Sequence, residues 1–277
     1  MKRNPFITFV FVFYAFNAFA GDRDFTYTYQ STVLGKGHRE LELWFTYKTG
    51  KNIFYNALDH RAEFEIGLGK NIQTAFYLNL GYSSSSSFVE LNPDVYTIES
   101  SKGLSLGFSN EWKWKLSDPV ANAVGSALYA EVSVEPGEFE LEGKVILDKK
   151  IGNFITAFNL EGEIEFEAEP ELHFDESGIV SMETEWEKGK KVELNYGLTY
   201  AFNNSFSAGF EVRNHNVFKE GVWEHSALYA GPVISIKQET WWLAFTALPQ
   251  ITDLKGDGLD LNDHEKLQSR VLLGFHF

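Results

Sequence analysis

The chain has 277 residues, with 39 acidic against 24 basic side chains, a formal charge of -15 and no cysteine. This excludes a disulfide framework and thiolate chemistry and argues against nucleic acid as a partner. Aromatic residues make up 16% while mean hydropathy is only -0.23, a combination that excludes a helical membrane protein and suits strands facing lipid and water on alternate residues.

The chain opens as an export signal. Lys2 and Arg3 form a basic start, residues 6–16 an apolar run, and Ala18-Phe19-Ala20 a small-residue cleavage site. Residues 1–20 therefore read as a cleaved signal peptide. No cysteine follows the site, which excludes a lipoprotein. Cleavage removes Lys2 and Arg3 and leaves 22 basic and 39 acidic residues, a formal charge of -17. No later run is apolar and long enough for a spanning helix, so the exported chain either stays soluble or inserts as a barrel. Residues 21–37 read as a periplasmic lead-in. Phe25, Tyr27 and Tyr29 alternate there until Gly35-Lys36-Gly37 breaks the run, as a short strand or an extra piece of the first barrel strand would.

From residue 38 onward the period is two. Over 38–48, Leu41, Leu43, Phe45 and Tyr47 oppose Glu40, Glu42, Trp44 and Thr46. Residues 59–69 form a second strand, and Lys70-Asn71 a two-residue hairpin turn in which Asn tolerates positive φ. The third strand covers 72–82. A long polar segment, 83–102, precedes the fourth, 103–115, whose Trp112 and Trp114 sit where an aromatic girdle belongs. After a turn at Asp118-Pro119 come strands at 126–135 and 138–149, joined by Pro136-Gly137. The seventh starts at Phe154 and runs through Glu167. Residues 168–181 read as a loop, 182–200 as the eighth strand, Asn203-Asn204 as a tight turn, 205–213 as the ninth strand and 214–224 as a loop. The tenth strand, 225–236, contains Pro232, which cannot donate to a ladder and suggests a bulge. Strand eleven covers 240–248, an acidic loop 249–265, and the closing strand 266–277. Twelve strands is an even count, as single-chain bacterial barrels require, and the connections tend to alternate short and long.

The closing strand places Leu267, Val271, Leu273, Phe275 and Phe277 on one face and ends on an aromatic. It resembles the C-terminal signal strand of Gram-negative outer-membrane β-barrel proteins, with Phe275 and Phe277 as the assembly signal. The resemblance implies an all-β, closed antiparallel transmembrane barrel over 38–277, with short periplasmic turns and longer extracellular loops. It also implies outer-membrane lipid, lipopolysaccharide and the barrel-assembly machinery as partners. The whole chain is similar to small outer-membrane barrels, several families of which have no assigned function. Twelve-stranded relatives include monomeric channels for acidic oligosaccharides with basic lumens.

This chain departs from them on the inward phase. Glu40, Glu42, Glu63, Glu65, Glu111, Glu131, Glu138, Glu140, Glu142, Glu161, Glu163, Glu165, Glu167, Glu193 and Glu211 fall on it, against Lys113, Lys144, Arg213 and Arg270. Crowded carboxylates in a confined lumen attract cations and repel anions, which argues against an acidic sugar. The expectation is a passive pore for cations or small neutral solutes. Its rivals are a non-conducting structural or adhesive barrel and a lipid-modifying enzyme. The seven histidines show no ligand spacing. His225-Ser226 is the one adjacent His/Ser pair, without the serine motifs of outer-membrane lipid hydrolases, so no catalytic set and no cofactor is expected. Asp253, Asp257, Asp260 and Asp263, with Gly258, Asn262 and Glu265, resemble a fragment of a calcium loop, but Lys255 stands where a ligand belongs. A solvated acidic loop fits equally well.

Overall fold

A strand with one apolar face and unpaired backbone edges can cross a bilayer only if every edge is paired, which requires closure. The computed structural model describes residues 21–92, 95–174, 180–219 and 221–277; the signal peptide expected over 1–20 lies outside them. The strands are β1 (Arg39–Thr49), β2 (Phe54–Gly69), β3 (Ile72–Asn92), β4 (Val95–Ser117), β5 (Gly125–Glu135) and β6 (Glu138–Ile151) in the first half. They continue as β7 (Phe154–Phe174), β8 (Val180–Asn203), β9 (Phe206–Lys219), β10 (Val222–Lys237), β11 (Trp241–Asp253) and β12 (Leu267–His276). Each pairs antiparallel with its sequence neighbours, and β1 pairs with β12 to close the barrel, Leu43 opposite Leu273. The period-two reading held because one face is lipid-exposed. Phe76, Phe108, Trp112, Trp114, Phe158 and Phe210 all point outward.

The short connections after β2, β4, β6, β8 and β10 gather at one end, together with Gly21 and Phe277. In barrels of this class that end faces the periplasm, and the hairpins at the opposite end face outward. Lys70 and Asn71 both have positive φ, 53° and 63°, the paired values of a type I′ hairpin turn. Phe277 closes the seam: its amide donates to the Arg39 carbonyl at 3.1 Å, and its ring lies 6.0 Å from that of Phe64. Deleting Phe277 is expected to lower the recovered folded barrel severalfold, read as outer-membrane levels of the variant; normal levels would remove the role of the terminal aromatic.

Several sequence-based expectations need correction. The described residues of the polar segment 83–102, 83–92 and 95–102, are strand, not loop, with Ser83 opposite Gly103 and Phe88 opposite Ile98. Most of 168–181 and 214–224 is likewise strand, extending β7, β8, β9 and β10. A hairpin wetted on both faces satisfies its backbone by pairing and needs no apolar alternation, so periodicity alone missed it. The turn placed at Asn203-Asn204 lies one residue later, with the Asn203 side chain accepting from the Ser205 amide at 2.8 Å. The bulge expected at Pro232 lies three residues earlier: β10 shifts register against β11 between Leu228 and Tyr229, whereas Tyr229 opposite Gln250 and Val233 opposite Thr246 keep one register across Pro232. The missing donor interrupts bonds, not spacing.

The last correction concerns residues 21–37. They do not precede the barrel in the periplasm. Residues 22–34 run inside it, in its periplasmic half, and the chain leaves through a turn in which the Gly37 amide donates to the Gly67 carbonyl at 2.8 Å.

Candidate functional site

An inserted segment that forms no ladder must find other partners for its backbone. Here the lumen side chains supply them. Glu211 on β9 is fully buried and takes the amides of Thr26, Tyr27 and Thr28 at 3.0, 2.9 and 2.8 Å. It also accepts from the Thr26 and Thr246 hydroxyls at 3.1 and 2.5 Å. Three successive amides turned onto one carboxylate make an anion nest. Asn159 on β7 mimics a strand partner, accepting from the Tyr29 amide at 2.6 Å and donating to the Tyr29 carbonyl at 2.9 Å. Asp148 holds the Ser31 amide and hydroxyl at 3.1 and 2.6 Å, and Gln73 the Leu34 amide at 2.8 Å. Asp24 pairs with Lys237 at 2.8 Å.

The barrel is also shaped for the segment. Phe25 packs with Ile155, Ala157 and Val233. A Cβ on inward-facing Gly197 would stand 2.5 Å from the Phe25 ring, and one on Gly67 would overlap the Gly35 carbonyl. Tyr29 packs among Trp44, Tyr129 and Ile146. The Arg23 guanidinium lies 4.2 Å from the Tyr29 ring centre, and that of Arg270 lies 3.8 Å from the Tyr27 ring centre.

Above this plug, toward the outer end, lies a cavity of about 400 Å³. Tyr27 and Tyr29 form its floor with Trp44 and Arg270. Eight acidic side chains line it (Asp59, Glu135, Glu138, Glu140, Glu142, Glu161, Glu163 and Glu193) against five basic ones (Lys48, Arg61, Lys144, Arg213 and Arg270).

The glutamates of the inward phase divide into four groups. Glu40, Glu42, Glu63, Glu65 and Glu111 line the periplasmic half of β1, β2 and β4 and are buried. Their oxygens form two overlapping triads, Glu40-Glu42-Glu65 and Glu63-Glu65-Glu111, each within 4.8 Å. Trp44 donates to Glu42 at 2.8 Å, Trp242 donates to Glu40, and Tyr77 donates to Glu111. Arg23 approaches Glu42 at 3.7 Å. In the second group, on β5, β6 and β7 toward the outer end, Glu131 meets Arg61 at 3.3 Å. Lys144 bridges Glu142 and Glu161, both at 2.8 Å, and Lys191 bridges Glu163 and Glu165 at 2.6 and 2.9 Å. Glu138 and Glu140 are half-buried and Glu167 is exposed. Glu193 forms a third group, paired with Arg213 and, at 2.6 Å, with His215. Glu211 on β9 stands apart, bound to the plug.

The basic set is larger than the inward phase of Lys113, Lys144, Arg213 and Arg270 suggested. Arg61 and Lys191 belong to the wall, and Arg23 arrives with the plug. The alternation of Phe25, Tyr27 and Tyr29 was the available signal for the plug; nothing in it says that those rings lie inside a barrel.

The acidic last loop does not assemble as a calcium loop. Asp253 caps its own turn, accepting from the Lys255 amide at 2.8 Å, and Asp257 is exposed. Only Asp260 and Asp263 converge. Burial raises the Asp260 pKa, but hydrogen bonds from His264 and the Asp263 amide hold it below the usual value, while burial lowers that of His264. Ser226 is engaged with Asn216 at 2.8 Å and Asn214 at 3.2 Å, while the His225 ring turns to Asp260 and Asp263, so the adjacent pair does not form a Ser/His couple.

Twelve closed strands, a lipid-facing aromatic surface and a polar lumen define an outer-membrane-type β-barrel. The chain belongs to a family described as a family of unknown function (DUF6662), which matches residues 17–277. No curated protein matches the sequence significantly. Among solved structures, the COG4313 outer membrane channel from Pseudomonas putida F1 is similar in fold. It has a TM-score of 0.53 and 11% identity, over 88% of this chain and 97% of that one. A KdgM porin in complex with disordered oligogalacturonate has a TM-score of 0.52 and 7% identity, over 86% and 99%. The beta domain of the Bordetella autotransporter Brka has a TM-score of 0.52 and 8% identity, over 87% and 100%. At these identities the likeness is one of fold.

Proposed function

We propose that the protein is an outer-membrane channel for small cations and neutral polar solutes, held closed by its own residues 22–34. It is exported with cleavage after Ala20, assembled by machinery that reads Phe275 and Phe277, and surrounded by lipid and lipopolysaccharide. The observation that carries this reading is how the plug is held. Side chains retain it, with no ladder to the wall, so it can leave without opening the barrel. The polar cavity above it supplies the outer half of a path. The excess of carboxylates on that cavity favours cations. The likeness in fold to a channel and a porin agrees with this reading. The non-conducting barrel is the second reading, favoured by the number of plug anchors.

The test compares the intact protein with a variant lacking residues 22–34 in planar bilayers under a salt gradient. The intact protein is expected to conduct rarely and the deletion variant steadily, with a cation-selective reversal potential that weakens as salt rises. A silent but correctly folded deletion variant would establish the non-conducting reading. Anion preference would overturn the electrostatic argument.

A further inference from the structure

The last loop, between β11 and β12, is clasped onto the outer rim of the barrel. The Asn52 amide donates to the Leu261 carbonyl at 2.8 Å, Lys51 donates to the Asp263 carbonyl at 2.9 Å, and Gln250 donates to the Asp260 carbonyl at 2.9 Å. This clasp brings the loop against His225, from β10. Nδ1 of His225 stands 3.5 Å from an Asp260 oxygen and 3.3 Å from an Asp263 oxygen. The three donor atoms lie within 4.8 Å of one another.

Those separations exceed the usual N–H···O hydrogen bond of about 2.7–3.2 Å. They match a different geometry. Ligand atoms about 2.0–2.2 Å from a zinc ion at tetrahedral angles stand roughly 3.3–3.5 Å apart. The donor chemistry also fits: one imidazole and two carboxylates suit a divalent first-row ion better than calcium, which takes only oxygen. Asp260 is already oriented by a neighbouring imidazole, as the outer groups of metal sites orient their ligands. The buried His264 Nδ1 lies 2.9 Å from the same Asp260 oxygen. Its ring in turn meets those of His215 and His225 at 5.3 and 6.0 Å.

We propose that His225, Asp260 and Asp263 form a site for a divalent transition-metal ion of the zinc class, with His264 positioning Asp260. The ion fastens the loop to β10 at the outer rim. The fourth position is left to water or to a group from outside. His215, which pairs with Glu193 and through it contacts Arg213 of the cavity lining, connects this rim to the cavity above the plug.

The test uses the folded full-length barrel in detergent, stripped by a chelator and titrated calorimetrically with Zn²⁺. One equivalent is expected to bind. His225→Ala and Asp263→Asn should each weaken binding at least tenfold, about 1.4 kcal/mol, while Asp257→Asn should not. Uptake unchanged in both ligand variants, no uptake by the parent, or Ca²⁺ binding that ignores His225→Ala would each overturn the site. Trypsin supplies a measurement that needs no variant. Lys255 is exposed in this loop, and Zn²⁺ should slow cleavage after it, with chelator restoring the rate. Equal rates with and without the ion would likewise overturn the proposal. Channel recording enters neither readout, so the result is separable from that of the conductance experiment.

Discussion

Replacing Glu211 by alanine is expected to unlatch the plug. The carboxylate is fully buried and receives three consecutive amides and two hydroxyls. A hydrogen bond to a charged group contributes about 1.5–3 kcal/mol. The freed amides recover part of this when the segment moves into water. A net loss of about 3 kcal/mol corresponds to roughly a hundredfold shift toward the released state. Hydrogen exchange at Thr26, Tyr27 and Thr28 should accelerate by about that factor, and single-channel openings should become frequent. Glu211→Gln keeps one acceptor oxygen and the shape, so its effect should be intermediate. Unchanged protection of these three amides in the alanine variant would show that Asn159, Asp148 and the Phe25 pocket hold the segment without Glu211.

The second expectation concerns Glu161, Glu163, Glu165 and Glu167. Alternate residues on one strand lie roughly 7 Å apart, within a Debye length of about 8 Å at physiological salt, so their potentials add. They do not act alike. Glu161 shares Lys144 with Glu142, whereas Glu163 and Glu165 are the two partners of Lys191. Changing all four to glutamine removes four negative charges and leaves Lys191 without either carboxylate. A carboxylate about 4 Å from a passing cation contributes roughly 1 kcal/mol in bulk water and about 4 at a protein surface. A severalfold fall in cation preference should follow. In the channel lacking residues 22–34, the reversal potential should move toward zero, most of the shift coming from the Glu163/Glu165 pair. A reversal potential unaffected by the quadruple change would place the selectivity elsewhere, with the buried carboxylates of β1 and β2 the next to alter.

These two expectations differ in how far the sequence alone could carry them. The strand-seven glutamates are visible as every second residue from 161 to 167, and a closed barrel gives every second residue the same side. Their partners are not visible in that way. Lys191 faces Glu163 because β8 pairs with β7 in the register that sets Glu163 opposite Lys191. Such cross-strand pairs depend on register, which local periodicity does not specify. The Glu211 latch was further out of reach: its partners on the plug are 183 to 185 residues away in the chain.

By itself the sequence determined the class of this protein. Alternation of apolar and polar residues is a local property, repeated in each membrane-crossing stretch between residue 38 and Phe277, and lipid on one side imposes it on every spanning strand. It therefore yields the strand count, the lipid face, the Lys70-Asn71 turn and the inward phase of the glutamates. Only the tertiary structure decided what fills the barrel and what gathers at its rim. Phe25, Tyr27 and Tyr29 alternate like any strand, and only closure of twelve strands around them shows that they close the lumen. His225 and Asp263 become neighbours only when β10 and the last loop meet. Both arrangements are contacts between segments distant in sequence, fixed by packing and register, and no local period specifies which segments meet.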